Sequence, residues 1–189
     1  MVVPLAKINA NVQPMLILQN LDDTPIGVLR LAFNVVAELC YNEVSTLTFD
    51  LPGIVDGVKT PNYDKVTGMR IIDLKHYGRF ILIDPSVRDD GVELIKSCTA
   101  YSLEYEFTFK KLPLTEGTYN LWNPIAPKGT ILGLITELMP SWKVGSVDST
   151  LIDKYRTFDD SSDQNIYNFM KSDLQESYGC IFYFDTYKR

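Results

Sequence analysis

A single imidazole, His76, is present in 189 residues, beside Tyr77 and Gly78 and between two apolar runs. Acid–base or nucleophilic catalysis would need a Ser or Cys motif and an orienting carboxylate aimed at that ring. No such motif occurs, so His76 reads as an exposed turn residue. The three cysteines, Cys40, Cys98 and Cys180, are widely spaced and lack the paired spacing of a zinc or iron site. Each lies in an apolar or strand-like run, which predicts buried thiols in a reducing compartment. The glycines at 53, 57 and 68 do not form GxxxxGK[ST], and "KGTILG" does not form GxGxxG, so no phosphate cradle is expected. Acidic pairs stand at Asp22 and Asp23, Asp89 and Asp90, and Asp159 and Asp160. Such pairs can serve a glycosidase or hold calcium. Each lies in a turn, where carboxylates cap and solvate the backbone, and none matches an EF-hand loop. The expectation is no catalytic residue, no cofactor and no metal.

Composition narrows the partners. A formal charge of −6, with 18 Lys and Arg scattered rather than gathered in a stripe, repels phosphate backbones and argues against nucleic-acid recognition. With 46% hydrophobic and 22% charged residues the chain has ample apolar material for a core. The first ten residues have no basic n-region, and Pro4 and Lys7 break their apolar run, so no secretory signal is expected. No stretch reaches the length of a membrane span.

The elements that would position these residues begin as strands. "MLILQNLDDTPIGVLRL" carries two apolar runs around a turn at 20–25, and "VVAELCYNEVSTLTFDLP" two more around Asn42 and Glu43. In the second, Leu47, Phe49 and Leu51 alternate with Thr46, Thr48 and Asp50, the period of a sheet with one buried face. A Gly- and Pro-rich loop is expected at 53–68. "MRIIDLKHYGRFILIDPSV" then predicts a hairpin turning at His76, and "VELIKSCTAYSLEYEFTFKKL" a long strand. Along that strand Tyr101, Leu103, Tyr105, Phe107 and Phe109 share one face. These aromatic residues suit a core or, in part, a sugar or protein contact surface. Residues 1–112 thus predict an antiparallel β-barrel or sandwich.

Residues 113–189 predict a small α+β domain, entered through a Pro- and Gly-rich crossing that begins near Leu112. Thr130 caps a helix whose Ile131, Leu134, Ile135 and Leu138 fall on one face before Pro140. "WKVGSV" and "LIDKYRTFD" read as strands, Ser161 and Gln164 as a capping box, and 165–178 as a second helix with Ile166, Tyr167, Met170 and Leu174 inward. Gly179 suits its C-cap, and "CIFYFD" reads as a final strand. Trp142 is expected to cover the junction between helix and following strand, with Gly145 at a bend or close approach. Leu134, Trp142, Phe158, Met170, Phe182 and Phe184 complete the expected core.

Four stretches, "KSCTAYSLEYEF" (96–107), "GTILGLITELMPSWKVGSVD" (129–148), "YRTFD" (155–159) and "NIYNFMKSDLQESYGCIFYFD" (165–185), in this order resemble the N-terminal region of tailed-phage minor structural proteins. That family includes the tail-associated lysin, or prophage endopeptidase tail, proteins of phages infecting Gram-positive bacteria. The resemblance implies two domains of a baseplate hub at the virion tail tip, assembled in the bacterial host cytoplasm. It further implies a homotrimer that continues the tail tube, with the distal tail protein and the tape-measure protein as partners. The acidic balance would suit a lumen through which DNA slides. Family members run on into further hub domains and often a hydrolase, so this chain is expected to be a short reading frame or a fragment, with any catalysis downstream of Arg189. Two alternatives start from the residues themselves: a cell-wall hydrolase using acids such as Asp159 or Asp163, and a carbohydrate-binding module using surface tyrosines.

Overall fold

The computed structural model describes residues 15–89, 91, 93–114, 116–159 and 163–189. The chain divides into two compact units, Met1–Glu104 and Tyr105–Arg189. Residues 105–112, which the sequence assigns to the first domain, thus belong to the second unit.

The first unit is an antiparallel sheet curled into a half-barrel. Its strands are β1 (Leu16–Gln19), β2 (Pro25–Val28), β3 (Phe33–Glu38), β4 (Thr46–Pro52), β7 (Arg70–Leu74), β8 (Gly78–Leu82), β9 (Ser86–Asp89) and β10 (Leu94–Ser102). They run in the order β2-β1-β7-β8-β10-β4-β3, with β9 paired to β10 off that path. The three expected hairpins form: β1 with β2, β3 with β4, and β7 with β8. Within the expected loop at 53–68 stand a short hairpin, β5 (Ile54–Val55) with β6 (Val58–Lys59), and a 3-10 turn at Tyr63–Lys65. The left-handed Asp56 and Gly57 make that hairpin possible.

The period-2 reading of β4 holds: Leu47, Phe49 and Leu51 are buried, with half-buried residues between them. They join Leu16, Leu18, Ile72, Leu74, Phe80, Leu82, Cys98 and Ala100 in one core. Burial of each large side chain contributes about 1.5–3 kcal/mol. A cation closes one end of this core. Lys96 Nζ donates to the carbonyls of Tyr63 (2.7 Å) and Val66 (2.8 Å) and lies 4.2 Å from the Tyr63 ring centroid. Burial lowers its pKa from the ordinary lysine value.

The expected single strand from β10 through Phe109 does not form. It stops at Ser102, and Leu103–Phe109 is a 3-10 helix. Ser102 causes the change of course. Its Oγ donates to Glu104 (2.6 Å) and accepts from the Ser45 N–H (2.8 Å), so a local polar knot replaces further ladder. Beyond Ser102 the alternation therefore ceases to sort the side chains: Leu103, Glu104 and Phe107 are buried and Phe109 is exposed.

The second unit pairs β11 (Gly117–Asn120), hidden in the expected crossing, with β12 (Tyr155–Phe158). Helix α1 (Ile131–Leu138) is capped by Thr130, whose Oγ1 accepts from the Gly133 N–H (3.1 Å). Its buried face holds Leu132 rather than Leu134, which is half-buried. Helix α2 (Ile166–Phe169), a π-helical turn (Met170–Leu174) and α3 (Gln175–Tyr178) run on without a break. Asn165 caps the start, accepting from the Asn168 N–H (2.8 Å), and Gly179 ends the run at φ 62°. Ser161 lies outside the described residues.

Two expected strands are absent. "WKVGSV" and "CIFYFD" join no ladder among the described residues. A Cβ on Gly145 would meet nothing within 4 Å, so that glycine serves no close approach. Trp142 therefore has no following strand to cover, and packs instead in an aromatic cluster.

Candidate interaction surface

The side chains with chemical potential are dispersed. His76 is exposed at the β7–β8 turn with φ 75°. Asp159 is exposed, and Asp163, fully exposed, faces Lys111 at 3.7 Å. Asp22 is occupied by its own turn, accepting from the Thr24 N–H (3.0 Å) and hydroxyl (2.5 Å), bonds that lower its pKa. Among the described residues no group of three or more His, Cys, Asp or Glu could hold a metal ion. The thiols also differ from expectation: Cys98 is buried, while Cys40 and Cys180 are half-buried because each follows the end of an element rather than lying within one. Burial pushes Cys98 up to about 12 against the opposing pull of Lys96, so it is no thiolate nucleophile.

A polar cleft of about 290 Å³ opens on the outer face of the half-barrel, lined by Asn34, Thr48, Asp50, Asp84, Ser86, Ser97 and Thr99 among others. Asp50 organises it, accepting from Asn34 Nδ2 (2.9 Å) and Ser97 Oγ (2.7 Å). Both carboxylate oxygens are thus engaged. The cleft offers polar contacts.

Sheet edges are the other feature available to a partner. The strand order ends at β2 and at β3. β2 has four residues and begins at Pro25, which lacks an N–H; β3 has six, with no proline. Against β4 the β3 register slips between Phe33 and Val36, and Asn34 sits there at φ 50°, forming a bulge that the Asn34–Asp50 hydrogen bond holds. Beyond the bulge Val36 is 54% exposed, while Ala37 is buried and Val35 and Leu39 pack partly against the core. This edge therefore presents a regular, mainly apolar strand.

In the second unit the aromatic side chains build a frame. Phe107, Trp142 and Phe184 lie 5.1–5.8 Å apart by ring centroid. Glu106 ties them together, accepting from Trp142 Nε1 (3.2 Å) and pairing with Arg189 Nη1 (2.8 Å), the two charged side chains 13% and 7% exposed. Phe158 meets Phe169 and Tyr178 at 5.5 and 6.0 Å. The Tyr178 hydroxyl donates to the Tyr119 carbonyl (2.9 Å), and Arg156 Nε donates to the Ser177 carbonyl (2.8 Å). Burial raises Tyr178 to about 12, with Arg156 pulling the other way.

Of the expected core, Leu103, Phe107, Trp142, Phe158 and Met170 are buried, whereas Tyr101, Tyr105, Leu134, Phe182 and Phe184 are half-buried. The large exposed apolar side chains of the second unit include Tyr183 (84%) and Ile181 (58%). The sequence reading placed no role on Glu106, Arg189 or the Asn34–Asp50–Ser97 cleft. Nothing in local spacing marks them, since each joins residues distant in the chain.

No protein-family model matches the sequence, and no curated protein matches it. Among solved structures, the chain is similar to the crystal structure of prophage tail protein gp18 from Listeria monocytogenes EGD-e, with a TM-score of 0.65 and 12% sequence identity. The likeness covers 91% of this chain and 48% of that one, so the chain spans about half the length of the tail protein. At this identity the likeness is one of fold.

Proposed function

We propose that this chain is a structural component of a phage or prophage tail, namely the N-terminal region of a baseplate hub at the tail tip. It self-assembles as a trimer that continues the tail tube, docks on the distal tail protein and meets the tape-measure protein. It carries receptor-binding or lytic modules rather than acting as an enzyme itself. The observation that carries this reading is the likeness of fold to a prophage tail protein across 91% of the chain. The β3 edge, which pairs with no further strand among the described residues, supports it, because an unpaired sheet edge is a template on which another copy can join. The net charge of −6 suits a lumen that must not retain DNA.

Light scattering on purified chain across a concentration series tests the reading. The expected result is a species of three times 21.5 kDa that dissociates on dilution. A monomer at every concentration would overturn self-assembly by these residues. Activity against purified cell wall would overturn the non-enzymatic part.

A further inference from the structure

Two stretches of the second unit have strand sequences and, among the described residues, no strand partners. The backbone groups of Lys143, Val144, Gly145, Ser146 and Val147 make no hydrogen bond among the described residues, and neither do those of Ile181, Phe182, Tyr183 and Phe184. The second stretch is the more telling. Its exposure alternates with period two: Ile181 and Tyr183 are exposed, while Phe182 and Phe184 turn inward. β-branched and aromatic residues of this pattern favour a sheet. Unpaired backbone beside a large apolar surface is the condition that adding a strand relieves.

The same chain holds the complementary element. β3 ends the half-barrel sheet among the described residues, and past its bulge Val36, Ala37 and Glu38 pair with β4 and lead into Leu39, a four-residue run, 36–39, equal in length to 181–184. Side-chain parity then selects the register. Val35, Ala37 and Leu39 lie on the core face, where Val35 and Leu39 are incompletely covered. An antiparallel strand that brings Tyr183 opposite Ala37 and Ile181 opposite Leu39 lays both exposed apolar side chains along that open margin. We propose that residues 181–184 of one copy add antiparallel to β3 of a second copy, extending its half-barrel by one strand. The contact is heterologous, donor to acceptor, so each copy both gives and receives a strand, and a ring forms where the rotation between copies closes. This inference rests on the self-assembly reading above.

The register places Cys180 of one copy opposite Cys40 of the next. Both thiols are free and half-buried, and opposed residues of antiparallel strands lie within disulfide reach. The test is oxidation of the wild-type chain with copper phenanthroline, followed by non-reducing electrophoresis, peptide mapping and light scattering. Cys180→Ser and Tyr183→Pro serve as comparisons; Tyr183 is exposed, and tryptophan emission checks that the second unit stays folded. The expected result is an interchain Cys40–Cys180 disulfide, absent in Cys180→Ser, with the disulfide and the assembly both lost in Tyr183→Pro. Assembly without that disulfide, unchanged in Tyr183→Pro, overturns the strand addition and leaves the self-assembly reading standing. A monomer with no interchain product overturns both.

Discussion

The two units solve the same problem with different means. In the first, strands meet strands, so backbone groups satisfy one another and leucine, isoleucine and phenylalanine close the core. In the second, one pair of strands and short helices are tied by ring contacts and by the enclosed Glu106–Arg189 pair, while two strand-like stretches join no ladder among the described residues. Ladder and core make stability cooperative within the first unit. The second depends on a few contacts, each of which can be cut. Both tryptophans, Trp122 and Trp142, lie in the second unit, so their fluorescence reports it alone while circular dichroism follows both.

The largest effect is expected in the first unit. Phe49 is 2% exposed at the centre of β4. Phe49→Ala should cost about 3–5 kcal/mol, read from denaturant unfolding by circular dichroism. A loss below about 1 kcal/mol would mean that the half-barrel core is loosely packed. The second-largest lies in the second unit: Glu106→Gln strips the partner from Arg189 and should cost about 2–4 kcal/mol in the tryptophan-detected transition. An unchanged transition would show that the pair is solvated and that the aromatic cluster holds by itself.

Alkaline pH separates the units by chemistry. Cys98 and Tyr178 are both raised to about 12 in the folded chain, from ordinary values of 9 and 10. A raised pKa gives stability that is complete below the ordinary value and is lost as pH climbs toward the folded one. The Cys98 contribution should therefore fall from about pH 9, and that of Tyr178 from about pH 10, both disappearing near 12. Cys98→Ala should flatten the alkaline slope seen by circular dichroism, and Tyr178→Phe the slope seen by fluorescence. A slope unaltered in both variants would place the alkaline loss elsewhere.

The same contrast explains what was legible in the sequence. The three hairpins and the buried face of β4 follow from period-2 alternation and turn residues, which act locally, and α1 from Thr130 and Pro140. The end of β10 was not legible: the alternation continues to Phe109, and the Ser102 knot needs Ser45 from another strand. β11 was hidden because its pairing with β12 spans a proline-rich stretch. "WKVGSV" and "CIFYFD" read as strands by composition, yet a strand is a property of a pair, and no strand among the described residues pairs with either. The Asn34–Asp50–Ser97 cleft was invisible for a related reason, since its members come from three strands and only the β3 bulge brings Asn34 within reach.

The smallest predicted effect gives the finest comparison. Thr130 is buried at the start of α1, where its Oγ1 accepts from the Gly133 N–H (3.1 Å) and donates to the Pro127 carbonyl (2.7 Å). Thr130→Ala leaves both backbone groups without these bonds and should cost about 1 kcal/mol. Gly133→Ala should cost more, because its Cβ would stand 2.0 Å from the Pro127 oxygen, a backbone atom that cannot move aside without displacing the loop before the helix. Both losses should fall on the fluorescence transition and spare the circular dichroism signal of the half-barrel. If both probes shift together by the same amount, the units unfold as one, and the contrast between ladder and scattered contacts is a contrast of construction alone, not of stability.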